Sequence, residues 1–115
     1  HNPGKARSIL EESKKTYNDP NLWIALGQCN ESLGEFGEAE RCYAHASNTV
    51  PTMFYPLYLL AKMKDRIGQK KESLLLARRI LKMNVKISSA AVREMKQEMN
   101  SLVQSSAAGL NNVHK

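Results

Sequence analysis

The residues of this chain that could do chemistry are its histidines, two cysteines and a knot of glutamates, and their spacing suits none of the usual reactions. His45 stands alone and His114 lies near the end, neither within a ligand pattern such as H-x3-H. Cys29 and Cys42 lie 13 positions apart, which is not zinc-finger spacing, and two cysteines are too few for a disulfide scaffold. They read as small, half-buried free thiols. Glu35, Glu38 and Glu40 cluster at the expected start of a helix, where carboxylates favour the dipole, and no cleft is implied for a hydrolytic acid pair. Gly34 and Gly37 read as a helix-turn pair and not as G-x-x-x-x-G-K. The expectation is a chain with no catalytic residues, no cofactor and no metal.

The basic residues are the second chemical feature. The chain has 115 residues and a formal net charge of +6. Residues 1 to 40 hold four basic and seven acidic groups, a balance of −3, while residues 62 to 86 hold nine basic groups against Asp65 and Glu72, a balance of +7. Such a patch points either to an anionic partner or to a solvated lysine-rich helix face. Lys70, Lys71, Arg78, Arg79 and Lys82 share a predicted helix with no interleaved aromatic residue, so no stacking platform for nucleic acid is expected. No stretch approaches the roughly 18 apolar residues of a spanning helix. The opening HNPGK has no initiator methionine and reads as an excised piece.

The elements that position these residues recur. Stepping 34 residues from Trp23 brings Trp23 to Leu57, Leu26 to Leu60, Gly27 to Ala61, Gly34 to Gly68, Ala39 to Ser73 and Ala46 to Ile80. Small meets small and large apolar meets large apolar. Trp23, Leu26 and Gly27 fit W-x2-L-G, Ala39 and Tyr43 fit A-x3-F, Ala46 follows, and Pro51 closes the unit. The chain therefore resembles the tetratricopeptide repeat family, with Asn30 departing where the family usually has an aromatic. The resemblance implies an all-α, right-handed superhelix of antiparallel helix pairs, about six helices in all. Its parts are the second helix of a truncated repeat at 1–19, repeats at 20–53 and 54–87, a capping helix at 88–104 and a flexible tail at 105–115.

Local signals agree. Asp19 suits an N-cap and Pro20 a first helical turn. Leu22, Trp23, Leu26 and Leu33 form an apolar stripe that Gly34 ends, with Trp23 expected as a largely buried anchor. A second helix carries Ala39, Tyr43, Ala46 and Val50, and Pro51 stops it. Upstream, Ala6, Ile9, Leu10, Ser13 and Tyr17 make another stripe; downstream, Leu74, Ala77, Ile80 and Leu81 make the next. Ser88 or Ser89 can cap a last helix with Val92, Met95, Met99, Leu102 and Val103 inside. Arg93, Glu94, Lys96, Gln97 and Glu98 then face out, as a solenoid cap requires. In VPTMFYPLYLLAKM, from Val50 to Met63, Pro51 ends one helix and Pro56 falls in the first turn of the next.

First helices of tetratricopeptide units line the concave surface, so the resemblance implies a groove face. Leu57, Leu60, Ala61 and Lys64 face the helix that follows, leaving Tyr55, Tyr58, Lys62 and Asp65 to the groove. Asn21, Ile24, Gln28 and Glu31 correspond in the first unit. Two tyrosines and a lysine suit an extended peptide or a helix. Ile24 and Gln28 occupy the places of the lysine and asparagine of the chaperone carboxylate clamp, so chaperone tails are not expected to bind. The run from Ala25 to Met63, with VKISSAAVREMKQEM, also resembles the C-terminal repeat region of bacterial O-antigen ligase or polymerase-like membrane proteins of Bacteroidetes. That resemblance implies a non-catalytic protein-interaction appendage whose missing N-terminal body anchors it at the inner membrane. The basic segment and free thiols point to the cytoplasmic face. The partner would be a protein or peptide, with no nucleic acid. The rival expectation is a structural spacer or self-association arm of a soluble multi-repeat protein.

Overall fold

The computed structural model describes residues 2–14, 19–83 and 89–113. Among them are six α-helices and no strand: α1 (Pro3–Lys14), α2 (Pro20–Ser32), α3 (Phe36–Thr49), α4 (Tyr55–Arg66), α5 (Lys70–Lys82) and α6 (Ala90–Val113). The chain divides into two units, His1–Pro56 and Leu57–Lys115.

In the first unit α2 packs on α1 and on α3. Asp19 caps α2 by accepting the Asn21 N–H at 2.9 Å, and Pro20 opens the first turn, where its missing N–H leaves no bond unmade. The buried side of α2 is Ile24, Leu26, Gly27 and Asn30; that of α3 is Ala39, Cys42, Tyr43, Ala46 and Ser47. Trp23 is half-buried, and not the largely buried anchor expected. Its ring lies on that of His45, itself exposed, with centroids 4.0 Å apart, while Ile24 and Leu26 take the inside.

On α1 the packed side is rotated from the expected stripe. Ile9 is 60 % exposed, while Ala6, Arg7 and Leu10 are partly covered. Arg7 takes part because its guanidinium donates to Asn30 Oδ1 at 3.1 Å and pairs with Glu35 at 2.6 Å, which an apolar pattern alone does not see. Tyr17 lies outside the described residues.

In the second unit α4 and α5 are tied by Ser73 Oγ, which donates to Ala61 O at 2.9 Å, and α5 packs on α6. Leu57, Leu60, Ala61 and Met63 of α4, Leu74, Ala77 and Ile80 of α5, and Met99 of α6 are buried. Ser89 caps α6 by accepting the Val92 N–H at 3.2 Å. α6 runs on to Val113, so the boundary expected at 104 falls inside a helix. No proline interrupts this stretch, and Ala107 and Ala108 are strong helix formers.

The 34-residue period is written into the backbone. α2 ends at Ser32 and α4 at Arg66; α3 begins at Phe36 and α5 at Lys70. Gly34 and Gly68 both adopt positive φ, +78° and +88°. Gly34 N–H donates to Glu31 O and Glu35 N–H to Asn30 O; in the same register Gly68 N–H donates to Asp65 O and Gln69 N–H to Lys64 O. Each set is a Schellman motif, which satisfies the last carbonyls of a helix and turns the chain into the next.

Candidate functional site

In the first unit the candidate groove residues are unequally accessible. Asn21 and Gln28 of α2 are exposed, Ile24 is only 5 % exposed, and Glu31 is partly covered, accepting the Tyr43 hydroxyl at 2.8 Å. Tyr55 is exposed at the start of α4. Burial and the neighbouring Cys42 push the Tyr43 phenol well above its ordinary range, so it stays a neutral donor to Glu31.

In the second unit Tyr58 and Lys62 are already engaged by α6. The buried Tyr58 donates its hydroxyl to Glu98 Oε2 at 2.5 Å. Lys62 Nζ, one turn along α4, donates to the Tyr58 oxygen at 3.3 Å, stands 3.6 Å from Glu98 Oε1 and lies 5.2 Å from the Tyr58 ring centroid. Burial raises the Tyr58 pKa, and the hydrogen bond to Glu98 adds to it, because an ionised phenol would face a carboxylate. The bond to Tyr58 raises that of Lys62. Asp65 is paired with Lys70 at 2.6 Å. Glu98 is exposed, as expected of the outer side of α6, yet it also accepts from Tyr58, 40 residues away, a contact that no local signal in the sequence marks.

Two buried polar residues occupy equivalent places 34 apart. Asn30, 3 % exposed, accepts from Arg7 and donates its amide to Cys42 Sγ at 3.7 Å. Lys64, 5 % exposed, donates to Gln69 Oε1 and pairs with Glu72 Oε2, each at 2.6 Å. Asn30 thus puts a hydrogen-bonded polar group on the buried side of α2, and Arg7 reaches it from α1.

Among the described residues no group of three His, Cys, Asp or Glu side chains could hold a metal ion. Cys29 and Cys42 are thiols in the structure, the first half-buried and the second buried. No helix among the described residues is long and apolar enough to cross a membrane. No protein-family model matches this chain, and no curated protein matches it.

Proposed function

We propose that this chain is a non-catalytic interaction module built as a tetratricopeptide-type, right-handed superhelix. The observation that carries the reading is the repeated Schellman turn at Gly34 and Gly68, with helix ends and starts in the same 34-residue register. Repeat solenoids bind partners on the first helices of their repeats; here these are α2 and α4, each taken by itself. The side chains with exposure to offer there are Asn21, Gln28, Tyr55 and Lys62. Ile24 and Tyr58 act from beneath, as packing. The resemblance to O-antigen ligase-like C-terminal regions supports a cell-envelope setting, with the module at the inner membrane on its cytoplasmic side.

Site-specific photocrosslinking in the host tests the reading. A photoreactive residue at Gln28 or Tyr55 should yield a discrete protein adduct, and one at Lys71 on α5 should not. Adducts only with a second copy of the chain would favour a self-association arm, which sedimentation at several concentrations would also reveal. Adducts with no protein at either groove position would defeat the reading. The full-length gene product decides the setting: hydrophobic spans upstream support it, and a soluble multi-repeat chain refutes it.

A further inference from the structure

The second unit has more positive charge than it can neutralise. Leu57–Lys115 contains twelve lysines and arginines against four carboxylates, a net of +8. Three of the four acids are engaged: Asp65 with Lys70, Glu72 with Lys64, and Glu98 with Tyr58 and Lys62. Among the described residues Lys71, Arg78, Arg79, Lys82 and Arg93 form no ion pair. The excess is not spread evenly over a featureless surface. Between α5 and α6 lies an open cleft of about 360 Å³, lined by Leu81 of α5 and by Arg93, Lys96, Gln97 and Asn100 of α6. The spacing of the four α6 residues, 3, 1 and 3, puts them on one helix face. Among the described residues no carboxylate lines the cleft. Lys96 Nζ donates to Met83 O at 3.2 Å, which steadies the ammonium at the C-terminal end of α5 and leaves it further protons to give. Arg78 stands one turn before Leu81, and Lys82 directly follows it.

The chemistry of the lining selects among anionic partners. A bilayer is broad and flat and gains little from a concave notch; the outer face of α5 offers it one projecting apolar residue, Leu75, 64 % exposed. Single-stranded nucleic acid would want aromatic stacking, and among the described residues no aromatic lines the cleft. A second copy of this chain is a poor source of acid: of the first unit's seven carboxylates, Glu35 engages Arg7, Glu38 Arg41, Glu31 Tyr43 and Asp19 the cap of α2, and Glu11, Glu12 and Glu40 have partners of their own. A guanidinium and an ammonium beside an aliphatic floor and two amides match a carboxylate-bearing peptide, whose backbone the amides can pair. We propose that the α5–α6 cleft docks an acidic segment of a partner protein, with carboxylate on Arg93 and Lys96 and an aliphatic side chain against Leu81. This goes beyond the groove reading and stands or falls apart from it, since none of the candidate groove residues lines the cleft.

Fluorescence anisotropy with a short, labelled oligoglutamate peptide carrying one leucine tests the proposal. The intact chain should bind it saturably, one to one. Arg93→Glu, on an exposed side chain, should weaken binding about tenfold or more. Lys71→Glu, the same charge change at a site about 15 Å along α5 from Leu81, should weaken it less than about twofold. Lys5→Glu, on an exposed side chain of the first unit, should leave it unchanged, and because the groove is read by photocrosslinking and the cleft by Arg93→Glu, failure of the one and failure of the other stay distinguishable. Replacing the peptide leucine by serine should also weaken binding. Equal losses from Arg93→Glu and Lys71→Glu would mean unspecific attraction and overturn the proposal. So would the absence of saturable binding, or tighter, Arg93-dependent binding to phosphatidylserine vesicles than to the peptide. Circular dichroism of each variant identifies any that fails to fold, and Arg93→Gln then replaces Arg93→Glu.

Discussion

Gly27 lies against the ring of Tyr43 so closely that a Cβ at position 27 would stand 2.7 Å from Tyr43 Cδ1. The ring cannot swing aside: it is fully buried, and its hydroxyl is held by Glu31. Helices α2 and α3 thus approach across a glycine on one side and an aromatic on the other. Thirty-four residues on, the corresponding pair is Ala61 and Ala77, with small residues on both helices.

Gly27→Ala should therefore destabilise the protein. Overpacking of a closed site costs about 1–3 kcal/mol, and the better helix propensity of alanine returns about 1 kcal/mol of it. Gly37→Ala is the control. A Cβ at Gly37 meets nothing within 4 Å, so that change should be neutral or stabilising by about 0.5 kcal/mol. Urea melts should show Gly27→Ala shifted down and Gly37→Ala unchanged or shifted up; a stabilised Gly27→Ala would mean that the helices do not approach as described.

Gly34 and Gly68 need their conformation and not their size. Both have positive φ and open space where a Cβ would go. Alanine at either position should cost about 1–2 kcal/mol through backbone strain alone, and asparagine, which tolerates the left-handed region, should cost less. Denaturant midpoints that rank alanine equal to or above asparagine would contradict this.

The helix count and the positions of these turns were legible in the sequence because local rules set them. Glycine at a left-handed cap, proline in a first turn and a 34-residue period each need no knowledge of distant chain. What was not legible came from contacts far apart in sequence. Arg7 bonds to Asn30 and Glu35, which rotates α1 and leaves Ile9 outside; Glu98 reaches Tyr58 across 40 positions. Polar residues on partly apolar faces read as solvent-exposed in a pattern, and only the partner reveals that they pack. Ile24 illustrates the converse, since a residue assigned by helix angle to an open face is covered in the structure.

The buried Lys64 offers an electrostatic test. Its ammonium sits between Gln69 and Glu72, and Glu72 is half-exposed. Removing the acid alone leaves a buried charge with less compensation. Glu72→Ala should thus destabilise by about 1–3 kcal/mol. Lys64→Met removes the charge and keeps the packing, so the Lys64→Met, Glu72→Ala double variant should be more stable than Glu72→Ala alone. A double variant no better than the single one would show that the ion pair carries no buried penalty.

The Tyr58 contact to Glu98 predicts how stability responds to alkali. The folded chain raises the pKa of Tyr58 by burial first and by Glu98 second, and raises that of Lys62 through its bond to Tyr58. Tyr43 shifts in the same direction. A group whose folded pKa is raised binds its proton more tightly in the native state. Its stabilisation is whole below the unfolded value and is lost as pH climbs through the folded one. From these groups, stability should be level through neutral pH and fall above about pH 10. Tyr58→Phe removes one of the titrating groups and the hydrogen bond together. At pH 7 it should be less stable than the parent by about 0.5–1.5 kcal/mol. As the unfolded parent gains from ionising Tyr58, the gap should narrow at higher pH. Urea melts of both proteins from pH 8 to about pH 11 read this directly, and a gap that widens with pH would mean that Tyr58 is not held neutral by its burial and by Glu98.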